Sequence, residues 1–110
     1  MKEIAGGVTS AKGFEAAGAE AAVKYKNRKD MALVYSTAPC KVAGTFTTNV
    51  VKAAPVLWDK QVVETSAFAQ AVVVNSGIAN ACTGKPGMDC CKAEAEHAGK
   101  LLGIPAEAVL

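Results

Sequence analysis

The chain has 110 residues, 51% of them apolar but only 5% aromatic, and a net charge of +2; that is room for one small domain with a modest core. So weak a charge excludes the strongly basic signature of nucleic-acid or anionic-membrane binders, and no apolar run approaches the roughly 20 residues that cross a bilayer. Met1-Lys2-Glu3 leads directly into polar and glycine residues, without the apolar stretch of a signal peptide, so a soluble, cytoplasmic protein is expected. Its core is expected to be built from small side chains, with sheet and helices in close approach.

In chain order, Gly6-Gly7-Val8-Thr9-Ser10 and Lys12-Gly13 are loop signals. Phe14–Val23 (FEAAGAEAAV) has the alanine content of a helix, but Gly18 at its centre favours an extended, close-packed strand. Lys24–Asp30 then places four cations close together around Tyr25. With no second cluster, this reads as a solvated hairpin tip rather than a nucleic-acid patch. Met31–Ser36 is a strand, Thr37-Ala38-Pro39 a turn, and Cys40–Thr48 a second strand with Val42, Gly44, Phe46 and Thr48 on one face. Short turns between strands predict antiparallel pairing.

Lys52 follows, as a solvated side chain or an attractor for a substrate carboxylate, and Pro55 suits the first turn of a helix. Trp58 and Val62 give that helix one buried stripe, and Thr65-Ser66 closes it. Ala71–Val74, with three consecutive valines, predicts a strand buried on both faces. It stops at Asn75-Ser76-Gly77, and a small-residue loop runs from Ile78 to Gly84. A loop between the carboxyl end of a strand and a helix is where α/β proteins build sites. Pro86-Gly87 precedes a helix from about Met88 to Leu102, whose apolar stripe is Met88, Cys91, Ala95, Ala98 and Leu102. Asp89 near its N-terminus complements the helix dipole. Gly103 and Pro105 end the helix, and Ala106–Leu110 opens a further element. The class is mixed α/β (α+β): a mostly antiparallel sheet with packed helices, part of a larger layered domain.

Cys40, Cys82, Cys90 and Cys91 show no C-x-x-C spacing, and neighbours on a helix point about 100° apart, a poor start for a tetrahedral zinc site. His97 follows Cys90 by seven residues, about 10 Å of helix rise, too far for a direct Cys–His pair. Reduced, packed cysteines are expected, with no metal and no resident cofactor. A P-loop is excluded: six residues separate Gly77 from Gly84, and Lys85 precedes proline.

Four segments together resemble the ornithine acetyltransferase (bifunctional glutamate N-acetyltransferase) family of arginine biosynthesis, in its order and spacing. They are GGVTSAKGFEAAG (Gly6–Gly18), TFTTNVVKAAPVLW (Thr45–Trp58), VVVNSGIANACTG (Val72–Gly84) and LLGIP (Leu101–Pro105). The resemblance implies acetyl transfer from N-acetylornithine, in some members from acetyl-CoA, to glutamate. It also implies a precursor that cleaves itself ahead of a threonine, giving α and β chains that stay together. The freed threonine is the nucleophile, its own amine takes the proton, and preorganised donors hold the oxyanion.

The family's oxyanion Ser-Thr-Gly stretch is expected beyond Leu110 and the nucleophile further on, so residues 1–110 are expected to be a single domain, an incomplete N-terminal portion of the α chain, inactive alone. The expected partners are the remainder of the α chain and the β chain. Asn75, Ser76, Gly77, Asn80, Thr83 and Gly84 are the candidate substrate-binding residues. They wall the acyl-transfer pocket, or they hydrogen-bond their own loop as Asx turns do. Ile78, where the family commonly has asparagine, and Cys90-Cys91 depart from the pattern. The competing reading is a non-catalytic α/β binding or interaction module.

Overall fold

A computed structural model describes residues 3–110; Met1 and Lys2 of the polar opening lie outside the described residues. The regular elements are strands β1 (Phe14–Ala19) and β2 (Met31–Cys40), helix α1 (Ala54–Thr65), strand β3 (Ala69–Asn75) and helix α2 (Gly84–Leu102). Single 3-10 turns occupy Val8–Ser10 and Ala106–Ala108. The three strands form one antiparallel sheet in the order β1-β2-β3, with Phe14 opposite Ser36 and Met31 opposite Asn75. Both helices lie over the same sheet face, where Leu33, Tyr35 and Val73 meet Trp58, Val62 and Ala95.

The core is small-residue as the composition demands: Ala54, Ala69, Ala71, Ala95 and Ala108 are buried alongside Trp58, Val62 and Val109. Small residues allow backbone contact. A Cβ on Gly99 of α2 would stand 2.7 Å from the Ile104 carbonyl oxygen, so the tail after α2 lies directly on the helix backbone. That tail turns back at Gly103, in the left-handed region at φ 70°. It ends in parallel register with β3: Leu110 N–H donates to Ala71 O (2.9 Å), and Val73 N–H donates to Leu110 O (2.7 Å).

Three expectations change. The valine run is not buried on both faces: Val73 packs against the helices, while Val72 and Val74, on the opposite face of the sheet, are exposed. An apolar run reports a preference for extended backbone, not the number of covered faces. Cys40–Thr48 is not a strand; β2 runs through Thr37-Ala38-Pro39 to Cys40, its pairing with β3 slipping between Tyr35 and Cys40. The alternation after Cys40 finds no partner strand, and Phe46 folds over Gly44 instead. Finally, α2 begins at Gly84 rather than Met88. Pro86 is tolerated there because a first-turn N–H has no intrahelical acceptor. Asp89 therefore sits in the second turn, where it pairs with Lys85 at 2.7 Å instead of meeting the free N–H groups.

Candidate functional site

The loop after β3 is pinned at both ends by backbone contacts. Ser76 N–H donates to the Asp30 carbonyl at 2.9 Å, tying the loop to the β1–β2 connection. At the other end Ala81 forms a bridge with Ala53, the residue preceding α1. Gly77 adopts φ +109°, and a Cβ there would stand 2.9 Å from Lys24 Cβ, so both conformation and space require glycine. Thr83 precedes α2 without capping it; its hydroxyl donates to Asn80 O at 3.1 Å.

Pinned this way, the loop roofs a hollow of about 570 Å³ whose other walls are the first turn of α1, α2 as far as Glu94, and Val23 and Met31. Asn75, Asn80 and Thr83 line it; Ser76, Gly77 and Gly84 do not, and act on the loop's path instead. A second hollow of about 320 Å³ adjoins it, sharing Asn75, Asn80, Cys91 and Glu94 and adding Trp58 and Asp59. Lys52 borders neither hollow, and among the described residues no lysine or arginine does.

Asn75 is held by α2. Its Nδ2 donates to both carboxylate oxygens of Glu94, at 3.3 and 3.4 Å, which fixes the amide while leaving its carbonyl oxygen to accept. Burial raises the Asp59 carboxyl above the usual carboxylate range. Burial, then the charges of Glu94 and Asp59, push the Cys91 thiol up, so it stays protonated and a poor nucleophile. Cys40, Cys82, Cys90 and Cys91 are all unbridged. His97 bonds Ala93 O of its own helix at 2.7 Å. Among the described residues, no group of three acidic, histidine or cysteine side chains could hold a metal.

The arrangement thus offers amides, a hydroxyl and carboxylates to a small ligand with hydrogen-bond donors or positive charge, but no activated nucleophile. Glu94 and Asp59 were not singled out from the sequence. The available signal was an acid on an inward stripe: Glu94 follows Cys91 by three positions, and Asp59 follows Pro55 by four.

An α+β unit with a mostly apolar hollow edged by a few amide, hydroxyl and carboxylate groups, at the carboxyl end of a strand, has the form of a small-molecule site. The chain belongs to the ArgJ family, whose profile matches residues 15–110. It is 48% identical over 100 residues to the arginine biosynthesis bifunctional protein ArgJ of Thermotoga neapolitana, covering 90% of this chain and 25% of that protein. It is 46% identical over 110 residues to the chloroplastic ArgJ of Zea mays, covering 99% of this chain and 24% of the other. Among solved structures, ornithine acetyltransferase from Mycobacterium tuberculosis, complexed with ornithine, superposes with TM-score 0.88 at 45% identity, covering 94% of this chain and 56% of that one. ArgJ from Bacillus halodurans gives TM-score 0.88 at 41% identity, covering 94% and 54%. The resemblance found in the motifs is thereby borne out, as is the α+β class with its antiparallel sheet. The chain spans about a quarter of the length of the curated relatives. Among the described residues no helix is long and apolar enough to cross a membrane.

Proposed function

We propose that this chain is a single domain forming the N-terminal portion of the α chain of an ornithine acetyltransferase, acting in the cytoplasm. The enzyme moves an acetyl group from N-acetylornithine, or from acetyl-CoA, to glutamate. The family match over residues 15–110 carries the reading, supported by the similarity to the ornithine-complexed relative. In this account the nucleophilic threonine and the oxyanion donors belong to the longer protein, which works as two α and two β chains after self-cleavage. The threonine's freed amine takes the hydroxyl proton as the acetyl-enzyme forms.

The role of the present residues is to shape the pocket. Asn75, braced by Glu94, and Asn80 and Thr83 offer hydrogen bonds to the substrate's amide or amine. Ser76, Gly77 and Gly84 set the loop that carries them. The absence of an activated nucleophile among the described side chains of the hollow fits a wall rather than a reaction centre.

The first experiment is to sequence the gene beyond the Leu110 codon and assay the full-length product for N-acetylornithine:glutamate transfer. Transfer by the full-length protein and none by residues 1–110 is expected; a stop codon after Leu110, or no transfer, sinks the reading in favour of a binding module. In the active protein, Asn75→Ala should raise KM for N-acetylornithine about tenfold, one lost hydrogen bond to a charged or amide partner, with kcat changed less than about threefold. Unchanged KM would remove Asn75 from the site.

A further inference from the structure

Read from the sequence, Lys24–Asp30 is a solvated hairpin tip. Folded, it has three properties such a tip lacks. Its acids are anchored on the backbone rather than on its cations: Asp30 accepts the N–H groups of Ala21 (2.8 Å) and Val23 (2.7 Å), and Glu20 accepts that of Asn27 (2.6 Å). Lys24, Lys26, Arg28 and Lys29 outnumber those two carboxylates and leave the loop net positive, and the ion pairs among the described residues involve none of the four. Two of those charges are braced on one ring, with Lys24 Nζ 5.2 Å and the Arg28 guanidinium 5.3 Å from the centre of Tyr25. The loop also abuts the candidate site: the Lys24 stem lies against Gly77, and Val23 lines the hollow of Asn75, Asn80 and Thr83. Among the described residues no lysine or arginine lines the hollow, and this loop sets positive charge beside it.

We infer that the Val23–Lys29 loop binds the phosphate groups of a nucleotide-bearing acyl donor, an acyl-CoA, and directs its uncharged arm toward the hollow beneath Asn75. The naming of acyl-CoA rests on the acetyl-transfer reading above; the polyphosphate chemistry rests on the loop alone. Ordered backbone, four cations outnumbering two backbone-anchored carboxylates, and an adjacent, mostly apolar cavity match a ligand charged at one end only.

The test is calorimetric titration of the full-length protein with coenzyme A, inorganic pyrophosphate and pantetheine, none of which turns over. Coenzyme A and pyrophosphate should bind, more weakly as salt rises, and pantetheine at least about tenfold less well than coenzyme A. A Lys24→Gln/Arg28→Gln variant should weaken coenzyme A and pyrophosphate about tenfold or more, while CoA-independent transfer from N-acetylornithine keeps its KM. That retained KM also reports that the variant is folded. Pyrophosphate binding without coenzyme A preference over pantetheine would overturn the acyl-CoA assignment, equal binding by variant and wild type would overturn the site, and an oligonucleotide binding more tightly than coenzyme A would make the loop a nucleic-acid contact. Because binding is read without turnover, missing N-acetylornithine:glutamate transfer alongside normal coenzyme A binding would overturn the proposed function and leave this loop's assignment standing.

Discussion

Two aspartates close to the hollow answer to pH in opposite senses. The backbone N–H groups of Ala21 and Val23 hold the Asp30 carboxyl below its ordinary value despite burial that raises it. A depressed pKa means stability that is full above the unfolded-state value near 4 and lost as pH falls through the folded one. Asp30→Asn should therefore loosen residues 20–29 at pH 7, seen as faster proteolytic cleavage after Lys24, Lys26, Arg28 or Lys29, with variant and wild type converging as pH falls below the depressed folded-state value. Asp59 goes the other way, because its burial disfavours the charged form. Its ionisation weakens the fold progressively as pH rises from the unfolded-state pKa to the higher folded one, and the penalty is constant above that. Asp59→Asn is expected to raise Tm at pH 7, with the gain disappearing below the unfolded-state value; an equal shift at pH 3 and pH 7 would assign the effect to packing instead.

At the level of elements, the contact between α2 and the tail after it depends on one missing side chain. Gly99 sits inside a helix, where alanine is ordinarily the better residue by about 1 kcal/mol. Here the added methyl would press on the Ile104 carbonyl, backbone that cannot rotate away. Gly99→Ala should cost about 2 kcal/mol in urea denaturation despite its helix propensity; a stabilised variant would show that the tail does not lie on α2. Much of this architecture was legible in the sequence where one periodicity had one outcome. The Met88–Leu102 stripe and the Trp58/Val62 pair face the core as read, and the Phe14 strand pairs as far as Ala19, short of the Val23 expected. Legibility failed where the answer lay in a neighbour. Val72-Val73-Val74 reads the same whether one face of the sheet is covered or both, and Val42–Thr48 alternates like a strand but pairs with none of the described strands. The site divided likewise. Asn75, Asn80 and Thr83 were visible because polar residues cluster in one loop, whereas Glu94 and Asp59 reach the hollow only through the docking of two helices.

Across the whole molecule, the surface is larger than the chain length warrants. It exposes 7760 Å², against roughly 5,700 Å² for a folded monomer of this size, and its radius of gyration is 14.7 Å rather than about 13 Å. The excess of about 2,000 Å² is the scale of a permanent interface, and Val50 and Leu101, 95% and 87% exposed, are apolar parts of it. This accords with the proposal that a longer polypeptide covers the same unit. Trp58 gives that unit a built-in clock. It is the sole tryptophan, and its Nε1–H donates at 2.9 Å to the carbonyl of Val109, 51 positions onward. Its emission thus reports the arrival of the last residues on the core. Joining such distant stretches is slower than winding either helix, so in stopped-flow refolding of this 110-residue chain, far-UV ellipticity should develop before the Trp58 spectrum moves to the blue. Coincident traces would mean that residues 104–110 dock in the first collapse.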